Sequence, residues 1–138
     1  MTVIYKDTLD GIDWGQMKSI LVEDDFDNGR RPEQLRESFG NSYAISIAYD
    51  GDKIIGTARV LSDGICNAYI VDVWTYTPYR RQGIAQKMIK NLTANLEGQH
   101  VYLFTEEDTL PFYEALGFSE QGIGLSIVVG EWLVNNPQ

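Results

Sequence analysis

The order of apolar and polar positions divides the chain into alternating and helical stretches. Thr2 to Lys6 is a short β-branched run that reads as a strand, and Asp10-Gly11 after it is a turn signal. Asp13 is placed to cap a helix from Trp14 to about Val22, with Trp14, Met17 and Leu21 on one face. An acidic loop from Glu23 to Gly29 follows, and Pro32 opens a second helix that carries Leu35 and Phe39. Asn41 to Tyr49, Lys53 to Leu61 and Ile65 to Thr75 read as three strands. Asp50-Gly51-Asp52 and Ser62-Asp63-Gly64 join them, which predicts an antiparallel meander.

From Ile84 the period lengthens from two to about 3.6, and Ile84, Met88, Ile89, Leu92 and Leu96 fall on one stripe of a helix that Gly98 ends. His100 to Thr105 is a short strand, which after a helical crossover lies parallel to the strand before it. Thr109 to Leu116 reads as a helix with Pro111 in its first turn and Gly117 as its C-terminal cap. Phe118 onward returns in extended form, and Leu125 to Val134, rich in Ile and Val, predicts a last strand. The pattern is α/β: a mostly antiparallel sheet with one parallel crossover, in a single domain over residues 1–138.

Composition narrows the function. With 43% apolar and 22% charged residues the chain has the balance of a soluble globular protein. No apolar run approaches the roughly 20 residues of a membrane span. Lys6, Asp7 and Asp10 interrupt any signal-peptide core, so a cytoplasmic location is expected. A net charge of -9 argues against nucleic acid and suits a cationic small molecule, although acidity is also a common solubility device. Cys66 is alone, which excludes an internal disulfide and a multi-cysteine metal site, and it reads as a small buried hydrophobe. His100 is also alone and no Gly-x-Ser-x-Gly elbow is present, so hydrolase chemistry recedes.

The strongest chemical signal is Arg80-Arg81-Gln82-Gly83-Ile84-Ala85, a basic, glycine-bearing turn between a strand and a helix. Such a turn offers unpaired backbone N–H groups to an anion. It lacks the Gly-Lys-Ser/Thr ending of a P-loop and the βαβ context of a dinucleotide fold. About thirty residues on lies Phe112-Tyr113-Glu114-Ala115-Leu116-Gly117-Phe118.

With both signatures at the usual separation, the chain resembles the GCN5-related N-acetyltransferase superfamily over residues 42–134. Residues 1–41 match only as the strand and two helices that such proteins set over the acceptor pocket. Asn41-Ser42-Tyr43, Gly56-x-x-Arg59 to Ser62-Asp63 and Asp72-Val73 look like the plastid-type and cyanobacterial enzymes that modify arylalkylamines such as serotonin and also protein lysines. The resemblance implies six to seven strands, about four helices and a splayed parallel strand pair holding acetyl-CoA, with no metal. A bulge commonly opens such a gap. The partner implied is a small-molecule or lysine amine, and a homodimer is left open.

Carried over by position, backbone groups of Val73, Trp74 and Thr75 pair with the pantetheine arm, and the N–H groups of Arg81 to Gln86 take the pyrophosphate. Gly83 and Ala85 are small so that the phosphates can approach, Arg80 and Lys87 add charge or are solvated, and Phe112 belongs to the cofactor side. Glu106 stands where many relatives have Asn, and a carboxylate does not donate as an amide does; Glu106, Glu107 and Asp108 alternatively cap the next helix. The resemblance further implies direct transfer through a tetrahedral intermediate, its oxyanion held by N–H groups near Trp74 and Thr75.

Tyr113 is the candidate general acid for the CoA thiolate, the alternative being an amphipathic core residue. Val101 occupies the position where some relatives place a glutamate base. Asp72, on the strand face expected to be shared with Ile70, Trp74 and Tyr76, is either a base acting through water or a buried acid paired with Arg59. Glu106 and Glu107 stand behind it. Trp14, Phe26, Tyr69, Trp74 and Tyr76 are aromatic candidates for an acceptor pocket, of which Trp74 and Tyr76 are placed near the site. An acyl-CoA-binding sensor with weak chemistry is the alternative reading.

Overall fold

A computed structural model describes residues 2–135. Strand β1 (Val3–Lys6) precedes helices α1 (Trp14–Glu23) and α2 (Pro32–Gly40). Strands β2 (Ala44–Asp50), β3 (Lys53–Ser62) and β4 (Asn67–Thr75) then run in succession, and α3 (Ile84–Thr93), β5 (His100–Tyr102) and α4 (Leu110–Ala115) complete the sequence. The sheet order is β1-β2-β3-β4-β5, antiparallel throughout except for the β4–β5 pair. Asp13 caps α1 by accepting from the Gln16 N–H at 3.0 Å, and Pro32 opens α2, as their positions predict.

Each sheet face carries its own core. Ile84, Met88, Ile89 and Leu92 of α3 pack on Ala48, Ile55, Ala58, Val60 and Ile70. Met17, Leu21, Leu35 and Phe39 of α1 and α2 pack on Ile45, Ile47, Ile54 and Trp74. Ile70 and Trp74 thus lie on opposite faces, although plain alternation places them together. The reason is a bulge: Thr57 pairs with Trp74 and Arg59 with Val71, so Asp72 and Val73 together face Ala58. Asp72 takes a φ of 53°, a left-handed conformation that a side chain rarely adopts.

Two guanidinium groups hold that residue. Arg30 grips the Asp72 carboxylate through Nη1 and Nη2 at 2.9 and 3.1 Å, and Arg59 Nε donates at 2.6 Å. All three side chains are almost wholly buried. Burial pushes the Asp72 carboxyl up, but the hydrogen bonds and charge of Arg30 and then Arg59 more than offset this and hold it below the ordinary aspartate range.

Three expectations are corrected. Cys66 is exposed, because the turn after β3 runs on to it: Asp63 Oδ1 accepts from the N–H groups of Ile65 and Cys66 at 2.8 Å, and β4 begins only at Asn67. Among the described residues the sheet has five strands rather than six or seven. Residues 119–132 form no strand and no backbone hydrogen bond with other described residues, so Ile123, Leu125, Ile127 and Val129 are exposed. Alternation shows fitness for a pleated surface; it does not provide the edge to pair with.

Replacing Asp72 by Asn leaves two buried cations facing a neutral amide, and should cost about 3 to 5 kcal/mol in urea unfolding at neutral pH. Because the folded-state pKa is depressed, this stabilisation is complete above the unfolded value of about 3.9 and fades as pH falls through the lower folded value. Acid titration of the wild type should therefore show a steeper loss below about pH 4 than the Asp72→Asn variant. Equal stability of the two proteins at neutral pH would show that the pair does not hold the bulge.

Candidate active site

Strands β4 and β5 pair only at Asn67–His100, Ala68–Val101 and Tyr69–Tyr102, whereas β4 stays paired with β3 as far as Thr75. The β5-facing edge of β4 from Ile70 to Thr75 is thus left without a strand partner. The chain after Tyr102 leaves the sheet before the expected end of its strand at Thr105, and a cleft of about 1100 Å³ opens between the two. Val73, Trp74 and Thr75 form one wall, Leu103 to Glu106 the other, and Phe112 and Tyr113 of α4 close one side.

The strand ends in a short 3-10 turn, Thr77–Tyr79, and the backbone then becomes left-handed at Arg81 (φ 64°) and at Gly83 (φ 79°), which is the N-cap of α3. Glycine is the residue that reaches such a φ without strain, and a Cβ built on Gly83 meets nothing within 4 Å, so the cradle opens outward. No described protein group accepts from the backbone N–H groups of Arg81 to Gln86. Six successive amide donors at a helix start, with the helix dipole behind them, suit an anionic ligand. Arg80 is tied back by its Nε to the Thr75 carbonyl at 3.1 Å while its side chain stays half exposed. Of the turn residues proposed for the cofactor, Gln82 does not line the cleft; Arg80, Arg81, Gly83, Ile84, Ala85 and Gln86 do.

Tyr113 is partly buried against the α3 core, edge-on to Phe112 and Phe118, and its hydroxyl makes no hydrogen bond with described residues. Burial pushes that hydroxyl up from its ordinary value, so it stays protonated through the neutral range and is a donor. Gly117, at φ 100°, ends α4 with its N–H on the Glu114 carbonyl, and Phe118 N–H bonds the Tyr113 carbonyl at 3.1 Å, which fixes the tyrosine's turn.

Asp72 borders the cleft, but its carboxylate is committed to Arg30 and Arg59. A carboxylate held below its ordinary range is a poor proton acceptor. Arg30, 7% exposed, is the partner that sequence reasoning misses; a buried arginine in a loop has no periodicity to betray it. Glu106 and Asp108 line the opposite rim, and no acidic side chain caps the turn there; Thr109 N–H bonds the Glu106 carbonyl instead, at 3.1 Å.

The aromatic candidates separate. Phe26, Tyr69 and Trp74 line the cleft, whereas Trp14 packs on Phe39 and the Tyr76 hydroxyl bonds Glu23. Trp74 is 2% exposed, with its Nε1–H on Asp24 at 3.0 Å. Asp24 also accepts from Thr77 N–H at 3.0 Å and Thr77 Oγ1 at 2.9 Å. Burial raises its carboxyl, while those donors from Thr77 and Trp74 and the nearby Arg80 charge bring it below the ordinary value.

Comparison with known proteins agrees with this geometry. The chain is 26% identical over 116 residues to a chloroplastic serotonin N-acetyltransferase 2 of Oryza sativa, covering 79% of this chain and 58% of that protein. It is 29% identical over 111 residues to a histone acetyltransferase of Glycine max, covering 70% and 48%. The chain therefore spans about half the length of these relatives. An acetyltransferase of the GNAT family from Streptococcus pneumoniae TIGR4 superposes with a TM-score of 0.78 at 24% identity, covering 94% of this chain and all of that one, which shows a shared fold. The family model of the acetyltransferase (GNAT) domain matches residues 41–120, from the end of α2 to just past α4. A match over more than half the chain, spanning the bulged strand, the amide cradle and Tyr113, establishes that this protein belongs to the GNAT acetyltransferase family.

Proposed function

We propose that this chain transfers the acetyl group of acetyl-CoA to a primary amine. The observation that carries the reading is the run of unpartnered amides from Arg81 to Gln86, all of whose residues but Gln82 line the same cleft as the free edge of β4 and Tyr113. Acetyl-CoA supplies the activated thioester. The chain's own groups seat its diphosphate on the α3 amides and its arm along the free edge of Val73 to Thr75. Tyr113, protonated across the working pH range, donates to the departing thiolate sulfur.

The acceptor class rests on less. Relatives include proteins named for serotonin and for histone acetylation, which supports an amine acceptor and leaves arylalkylamine and lysine acceptors both open. The acidic loop offers a cation less than its composition suggests: Glu23, Asp24 and Asp27 bond Tyr76, Trp74 and Lys18 respectively. With Asp72 also engaged, Glu106 on the cleft rim or solvent in the open cleft takes the proton of the acceptor amine. At neutral pH this costs roughly 4 to 5 kcal/mol for an amine of pKa near 10.4.

Two outcomes follow. Activity, read as free-thiol release from acetyl-CoA with serotonin, tryptamine, polyamines and lysine peptides, should rise with pH as the free-amine fraction grows. It should show no descending limb through the neutral range, because burial raises the Tyr113 hydroxyl and keeps it protonated there. Tyr113→Phe should lower kcat by about a hundredfold. Its CoA affinity should stay within about twofold, since general acid catalysis acts on the transition state rather than on cofactor binding. An unchanged rate at every pH would remove the tyrosine from the mechanism, and tight CoA binding with no thiol release for any amine would favour a sensor.

Gly83→Val tests the cradle, because a β-branched residue is strained at φ 79° and intrudes where the phosphates approach. Calorimetry should show CoA affinity reduced about tenfold or more. Wild-type affinity would place the diphosphate elsewhere.

A further inference from the structure

The linker from Tyr76 to Arg80 joins the end of β4 to the amide run, and apart from Pro78 each of its side chains is tied down. The Tyr79 hydroxyl donates to Asp50 Oδ2 at 2.6 Å, and Thr77 donates to Asp24 through its N–H at 3.0 Å and its Oγ1 at 2.9 Å. The Tyr76 hydroxyl bonds Glu23, and Arg80 Nε donates to the Thr75 carbonyl at 3.1 Å. The Tyr76 and Tyr79 rings stack at 6.2 Å between centroids, with Lys53 Nζ 4.8 and 5.9 Å from them.

Three carboxylates therefore converge on a stretch that leads into amides open to an anion. Charge alone opposes this placement, because a negative group near such a seat makes it less attractive to an anion. None of Glu23, Asp24 and Asp50 lines the cleft, so none is placed to meet a cationic group there. What they share is the linker. Glu23 ends α1, Asp24 caps it and Asp50 ends β2, so the linker is gripped from two elements far apart in sequence. Beyond it the backbone is left-handed at Arg81 and again at Gly83. Such conformations persist only when the surroundings fix them, and the direction of the amides depends on where the linker ends.

We propose that Asp24 and Asp50 are positioning residues for cofactor binding, which hold the Thr77–Tyr79 turn so that the Arg81–Gln86 amides keep the orientation that receives a diphosphate. This rests on the acetyl-CoA reading given above. Asp24 acts through Thr77 and Trp74, and Asp50 through Tyr79.

The test uses the sign of the effect. Asp24→Asn and Asp50→Asn each remove a negative charge near the seat, so charge alone gives tighter anion binding, whereas lost positioning gives weaker binding. In calorimetry with CoA, and with ADP as a diphosphate probe without the arm, both ligands should weaken by about three- to tenfold, the size of one lost hydrogen bond. Asp52→Asn removes an exposed charge from the same hairpin and should leave both affinities within about twofold or raise them. Tyr79→Phe should reproduce Asp50→Asn, and the double variant should be no weaker than either single one, because both substitutions remove the same bond. With the amine turned over fastest among serotonin, tryptamine, polyamines and lysine peptides, KM for acetyl-CoA should rise while kcat stays within about twofold, a split that general loss of structure does not produce. Thermal unfolding shows which variants are folded at the assay temperature, and if Asp24→Asn is not, the Asp50→Asn and Tyr79→Phe pair carries the test. CoA and ADP affinities that are unchanged or higher in Asp50→Asn, or additive losses in the double variant, would overturn the proposal. A wild type that binds neither CoA nor ADP would instead overturn the reading it rests on.

Discussion

The buried ion triad of Arg30, Asp72 and Arg59 is the constraint on which the rest of the site depends. Asp72 sits at a left-handed φ inside a strand, a conformation that is unfavourable for a side-chain-bearing residue and persists only when its surroundings over-determine it. The two guanidiniums do so. Arg30 reaches from the α1–α2 loop and Arg59 from β3, so the bulge is clamped from two elements distant in sequence. Once the extra residue is fixed, Val73 to Thr75 run with reversed parity and Trp74 enters the α1–α2 core. The parallel neighbour has parted from β4 after Tyr69. A buried ion pair is an expensive way to stabilise a fold. Here it fixes a backbone shape that apolar packing alone would not specify.

Much of this was legible in the sequence. The helices, the meander, the parallel crossover and the amide cradle follow from periodicity, from Pro32 and from the Gly83 turn, because those signals are local. What was hidden depends on contacts across the chain. Alternation placed Asp72, Trp74 and Ile70 on one face, and one inserted residue broke that inference for every residue after it. Arg30 gave no sign of its role, since a loop arginine reads as solvated until the fold brings an acid beside it. The run from Leu125 to Val134 carried a strand's pattern without a strand's partner, and pairing is the part of a strand that composition does not encode.

The charge balance deserves the same physical reading. A chain of net charge -9 invites the idea of an acidic surface that draws in cations. Yet Asp24, Asp27, Asp50 and Asp72 each bond a donor of their own chain: Trp74 and Thr77, Lys18, Tyr79, and Arg30 with Arg59. Two of these acids, Asp24 and Asp72, tie the α1–α2 segment to β4 and the turn after it. Asp24 in particular joins the end of α1 to the turn that leads into the cradle, so the two sides of the site are positioned by the same carboxylate.

Groups left unpaired in the free protein complete the logic. The amides of Arg81 to Gln86 have no partner among the described residues, and all of these residues but Gln82 border one cleft. Their retention is intelligible if a ligand supplies the acceptors, because donors already fixed in place need no reorganisation when it arrives. The strained Asp72, held by two cations, keeps the strand edge open for the same reason. Strain at the bulge and unmet hydrogen bonding at the cradle are thus two aspects of one arrangement. The first shapes the gap, and the second leaves amide donors along its edge that suit an anionic group.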